Sequence, residues 1–245
     1  MLNAEQQNTA NTAIMRYAPF AVAPIVLSEC DKRLVFLHEP DSSSAEEYRR
    51  VAARIVSRHS GGGKLMVTSP APGDGKTLSA MNLAFCLAER DPVLLIDFDT
   101  RFGTVRRRLG LESPATGLEE VLLGKAPPED CVMSIPGTAL CVAVNRGQAH
   151  RAIDLIGAGR PRRLLDWALQ KFAWVIFDTP PAFPVADTLE IARYADIGLL
   201  VIRSRSTPAR LTRLAIESLK DALHFVMFND GEGSLYAGYN KTYLE

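Results

Sequence analysis

The segment 65–77 limits the folds open to this chain more than any other stretch. Residues 65–68 read as a buried strand that runs into Ser69-Pro-Ala-Pro-Gly-Asp-Gly-Lys-Thr77, after which helical periodicity holds over 76–90. Measured against G-x-x-x-x-G-K-S/T, the loop fits at Gly75, Lys76 and Thr77, while Ser69 replaces the opening glycine. The chemistry closes without that glycine. Gly73 and Gly75 let backbone N–H groups turn inward, and the helix N-terminus adds the positive end of its dipole. Lys76 then reaches the β- and γ-phosphates of a nucleotide, and the Thr77 hydroxyl coordinates Mg2+. The contacting run is therefore Gly73, Asp74, Gly75, Lys76, Thr77 and Leu78. A plain Gly/Pro-rich turn is the alternative, and the strand before it with the helix after it argues against that.

The rest of the chain repeats the alternation. Apolar runs at 65–68, 93–96, 140–144, 174–177, 197–202 and 224–228 read as strands, several apolar at every position and so buried on both faces. Helical periodicity fills 76–90, 117–124, 160–171, 186–193 and 207–222. The order predicts an α/β fold, a mostly parallel sheet with helices on both faces, binding its ligand beyond the carboxyl ends of the strands. Upstream, Ser43-x-x-Glu46 reads as a capping box for an amphipathic helix through Tyr48, Val51, Ala52 and Ile55 to about His59, stopped by Gly61-Gly62-Gly63. The layout that follows is an irregular arm over 1–42, a nucleotide-binding domain over 43–232 and a tail over 233–245.

Charge and composition narrow the partners. The 245 residues balance 28 Lys+Arg against 28 Asp+Glu, which gives no bulk attraction to nucleic acid or anionic lipid. The basic runs 101–108 and 160–163 lack interleaved aromatics and read as solvated helix ends or a docking face, with no nucleic-acid partner. Cys30, Cys86, Cys131 and Cys141 stand far apart, as reduced thiols of a cytoplasmic protein do. Arg16, Pro19 and Pro24 interrupt the apolar stretch 13–27, which is neither a signal peptide nor a membrane span. The four histidines, His150 among them, show no nucleophile-base spacing.

Two strands end in carboxylates. Asp97 and Asp99 stand two residues apart at the end of 93–97 and so share a face, where both can point at one metal. Asp178 ends the strand 174–177 at the position that orients Mg2+ or its water shell. Each alone reads equally well as a strand-end turn former; together with the loop they indicate phosphoryl transfer from ATP, to water or to a protein hydroxyl.

The loop 69–77, the run Leu94-Leu-Ile-Asp97-Phe-Asp99-Thr-Arg101 and Val175-Ile-Phe-Asp178-Thr-Pro-Pro181, followed by Pro184-Val-Ala-Asp187, resemble the Walker A, A′ and B motifs of bacterial tyrosine kinases. These are P-loop autokinases of capsule and exopolysaccharide synthesis, and the similarity spans about residues 43–245. It implies that Asp97 binds Mg2+ and activates the attacking tyrosine hydroxyl, with Asp99 and Asp178 as metal-orienting companions. It implies Asn229 as an adenine contact, and it offers Tyr236, Tyr239 and Tyr243, three of six tyrosines, as autophosphorylation sites. The implied partners are a separate membrane polysaccharide co-polymerase that acts as activator, a cognate phosphotyrosine phosphatase and further copies of the chain. The family's E-x-x-R-x-x-R oligomerisation helix appears here as Glu46-Glu-Tyr48-Arg49-Arg-Val-Ala52, with alanine at the second arginine position. The rival reading is a P-loop ATPase switch of the partitioning and division-site class, or a nucleotide-binding scaffold. Ala71 stands where those switches carry a lysine.

Overall fold

The computed structural model describes residues 20–100, 103–146, 155–183 and 187–230. In chain order the elements are β1 (Ala21–Val22), α1 (Val35–His38), α2 (Ser43–Arg58), β2 (Gly63–Thr68), α3 (Lys76–Leu87), β3 (Val93–Asp97), α4 (Thr104–Arg108), α5 (Leu118–Leu122), β4 (Val132–Ser134), β5 (Leu140–Ala143), α6 (Pro161–Leu169), β6 (Trp174–Asp178), α7 (Asp187–Ala192), β7 (Ile197–Arg203), α8 (Ala209–Leu219) and β8 (Phe225–Asn229). They build one sheet of order β1-β4-β5-β3-β6-β2-β7-β8. The six strands from β5 to β8 are mutually parallel, the central ones apolar along most of their length and buried on both faces, and each expected strand lies within two residues of its predicted bounds.

Register places the site. Asp97 and Asp178 end neighbouring strands and pair directly, and Val67, near the end of β2, pairs with Asp178 from the other side. All the strand ends that carry chemistry therefore open on one edge. Beneath them α3 is buried almost all round, from Thr77 and Ser79 through Leu87. Its alanines and leucines suit that burial, since they lose little side-chain freedom in a helix. The helix α2 packs against it.

Three expectations change. The cap of α2 is Ser42, whose Oγ accepts Ala45 N–H at 3.2 Å; Ser43 falls inside the first turn, because the chain stays extended through Ser42 with ψ at 158°. Glu46 then serves no cap and lies 3.9 Å from both Arg49 and Arg50. The strands β1 and β4 were not foreseen: at two and three residues they are too short for a periodic signal, and β4 runs antiparallel to β5.

The described part of the arm, 20–42, has little regular structure beyond β1, a three-residue 3-10 turn and α1, and it is packed against the rest of the chain. Leu34 is fully buried, and the buried Asn82 of α3 accepts Val35 N–H at 3.0 Å while donating to the Arg33 carbonyl at 2.9 Å. Phe20 meets Trp167 edge-on at 5.8 Å and stacks on Phe172 at 6.0 Å. Phe20→Ala is expected to lower stability by ~3 kcal/mol in a urea melt, the usual cost of removing a buried ring; an unpacked arm would leave the midpoint where it is.

Candidate nucleotide site

The loop after β2 is held open by its glycines. Gly73 and Gly75 adopt φ of 89° and 97°, and a Cβ on Gly75 would lie 2.0 Å from Asn229 Nδ2. The helix ladder begins with Ser79 N–H to Gly75 O at 2.9 Å, so the amides of Lys76, Thr77 and Leu78 form the first turn, where backbone donors have no intrahelical acceptor. Such amides gather an anion. The buried Asp74 carboxylate is turned to the loop itself: Oδ2 accepts Ala71 N–H at 2.9 Å and Oδ1 accepts the Thr207 hydroxyl at 2.7 Å.

At the mouth of the cradle stands the Lys76 ammonium, its side chain only 11% exposed. It lies 3.0 Å from Asp99 Oδ2, 3.2 Å from Thr77 Oγ1 and 3.8 Å from Asp178 Oδ1. Burial alone would depress its pKa, but Asp178, Asp99 and Asp97 together outweigh that, and the net shift is upward. Asp97 is oriented by two backbone donors, Asp99 N–H to Oδ1 at 3.1 Å and Val105 N–H to Oδ2 at 3.2 Å. Its pKa is pushed well above the carboxylate range, first by burial and then by the charges of Asp178 and Asp99. Burial also raises Asp178, with the Lys76 charge pulling the other way.

Three carboxylates thus surround one ammonium, so that negative charge is in excess whenever all three are ionised. Neither oxygen of Asp178 nor Oδ1 of Asp99 finds a hydrogen-bond partner. Orphaned, buried acceptors of this kind fit a cation. No group of three His, Cys, Asp or Glu side chains among the described residues forms a ready metal cage. The hydroxyl of Thr77, with Asp99 and Asp178 beside it, therefore fits an ion that draws its remaining ligands from water or from a nucleotide's phosphates, as Mg2+ does.

Lys76, Thr77, Asp97, Asp99 and Asp178 are therefore brought to one place, with Asn229 at its rim. Glu46 and Arg49 lie elsewhere, on α2, where Arg49 grips Glu89 at 2.9 and 3.3 Å with its guanidinium 5.2 Å from the Phe36 ring. Arg101, His150, Tyr236, Tyr239 and Tyr243 fall outside the described residues. Sequence reasoning missed Thr207, which nothing marks as functional because its partner Asp74 is far away along the chain. It also missed Arg108, whose charge lowers the Asp178 pKa and whose guanidinium pairs closely with Asp31.

No protein-family model matches the chain. Over 197 residues it is 34% identical to tyrosine-protein kinase YwqD of Bacillus subtilis (strain 168), covering 78% of this chain and 82% of that protein. It is 32% identical, again over 197 residues, to tyrosine-protein kinase etk of Escherichia coli (strain K12), covering 78% of this chain but only 27% of the longer relative. Among solved structures, the BceF tyrosine kinase domain matches with a TM-score of 0.71 at 26% identity, over 92% of this chain and 89% of that one. The fold is that of the P-loop NTPases.

The buried carboxylates make stability depend on pH. A carboxyl whose folded pKa lies above its ordinary 3.8 binds its proton more tightly folded than unfolded. Its contribution therefore favours folding at low pH and is lost as pH rises through the folded value. Asp178→Asn cannot ionise. The nucleotide-free variant is expected to be more stable than wild type at neutral pH by roughly 1 kcal/mol, a margin that shrinks toward acid, in thermal melts run as a pH series.

Proposed function

Because the chain belongs to the bacterial tyrosine-protein kinase family, we propose that it is an ATP-dependent protein-tyrosine kinase that uses Mg2+ and modifies Tyr236, Tyr239 and Tyr243 of its own C-terminal segment. The observation that carries this reading is the buried Lys76 ammonium set between Thr77, Asp99 and Asp178 at the head of α3. The loop amides and Lys76 hold the β- and γ-phosphates, and Asn229 lies at the rim of the same loop. Thr77, Asp99 and Asp178 hold the metal, which when bound screens the charge that develops on the transferring phosphoryl group.

Asp97 acts as base. A tyrosine hydroxyl, with a pKa of about 10, is a poor nucleophile until a neighbour takes its proton. The Asp97 carboxyl, raised by burial and by two like charges, is a stronger base than an exposed aspartate. The tyrosine oxygen forms a bond to the γ-phosphorus, the bond from that phosphorus to the β-phosphate oxygen breaks, the proton passes to Asp97 and ADP leaves.

Residues 43–232 form the kinase domain in this reading and 233–245 the acceptor tail. No helix among the described residues is long and apolar enough to cross a membrane. The kinase works in the cytoplasm against the inner face of the membrane, where a separate polysaccharide co-polymerase recruits and activates it. A phosphotyrosine phosphatase resets it, and the whole regulates exopolysaccharide or capsule synthesis and export. Copies assemble through α2, with Glu46 and Arg49 at the contact.

Incubation with Mg-ATP and the co-polymerase's cytoplasmic segment is expected to place phosphate on the three tail tyrosines. Lys76→Met should reduce incorporation on the order of a hundredfold or more. Replacing all three tyrosines with Phe should abolish self-modification while ADP affinity stays at the wild-type value. Phosphotyrosine mass spectrometry that finds none of these sites modified under any condition would remove the kinase assignment and leave a P-loop ATPase switch.

A further inference from the structure

Three chain segments remote in sequence meet behind the loop. The Asp74 carbonyl accepts from Asn229 Nδ2 at 3.0 Å, at the end of β8. The Asp74 carboxylate accepts the Thr207 hydroxyl at 2.7 Å, from the turn between β7 and α8. The oxygen of that hydroxyl itself accepts Arg203 N–H at 2.9 Å, so its single proton is committed to Asp74. Asn229 is fixed in turn: its carbonyl accepts Ser204 N–H at 2.8 Å, and its strand pairs it with Arg203.

A peptide group is planar and trans, so the carbonyl of one residue and the N–H of the next point in opposite directions. Asn229 draws the Asp74 carbonyl toward β8, which leaves Gly75 N–H facing the opposite way. Close approach is possible only because Gly75 lacks a Cβ; one built there would meet Asn229 Nδ2 at 2.0 Å. We propose that Asn229 and Thr207 are positioning residues for phosphate binding: together they clamp Asp74 so that Gly75 N–H is already aimed at the anion before it arrives. In this account Asn229 acts on the phosphates through Asp74 and not on the adenine base. The proposal rests on the loop being a phosphate cradle, and it does not depend on what the phosphoryl group is transferred to.

Affinities for inorganic tripolyphosphate, ADP and adenosine, measured by calorimetry on the full chain with Mg2+, separate the possibilities. Asn229→Ala is expected to weaken tripolyphosphate and ADP by the same factor, roughly tenfold, which corresponds to about 1.4 kcal/mol. Adenosine affinity should not move. Thr207→Val should weaken the two phosphate ligands in the same way and Thr207→Ser should restore them, and this pair decides the matter if Asn229→Ala does not fold. Unchanged tripolyphosphate affinity in both Asn229→Ala and Thr207→Val overturns the proposal. So does a loss confined to ADP and adenosine, which would make Asn229 a base contact. A wild-type chain that binds neither ADP nor tripolyphosphate overturns the cradle itself, whereas absence of tyrosine phosphorylation alone leaves the clamp standing.

Discussion

One ammonium among three carboxylates governs the architecture of the site. Taken out of water, the charges of Asp97, Asp99 and Asp178 would repel one another strongly, and a single buried Lys76 offsets only part of that. The sheet nevertheless sets Asp97 and Asp178 side by side at its edge, because direct pairing of β3 with β6 leaves no other place for them. The cluster is held in readiness at a cost in stability, with Asp97 steadied by the amides of Asp99 and Val105 and with oxygens of Asp99 and Asp178 left open. Such a site gains most when a cation and a polyphosphate complete its charges.

Strain and support alternate around that centre. Gly75 accepts a left-handed backbone so that the loop can close, and the surrounding chain then holds the loop with side chains rather than with sheet bonds. Farther out, Asn82 binds the N-terminal segment to α3, so the helix that carries Lys76 at its head is fixed along its length as well as at its start.

What could be read in the sequence was what lies close together in it. The loop 69–77 and the strand-end acids Asp97, Asp99 and Asp178 declare themselves by local spacing, and the six long strands by unbroken apolar runs. The two-residue β1 and three-residue β4 carry no period and could not be seen. The choice between Ser42 and Ser43 as cap turns on a single dihedral angle. Thr207 was invisible for a different reason: its importance comes from Asp74, and that contact exists only after the sheet has formed. Packing of the segment 20–42 leaves no local signal, because Ala23, Cys30 and Leu34 stand between elements of only two to four residues, too short for a period.

The order of strands has a consequence for biosynthesis. The strand β2, which delivers the loop, lies between β6 and β7, so Gly63 waits for Trp174 and Leu65 for Ile197 before either can pair. On the ribosome β2 emerges before either of the strands that flank it, so the cradle is assembled only after both have followed. Until β6 and β7 follow, β2 exposes both of its edges, the condition in which nascent chains are most open to wrong pairing and most in need of chaperones.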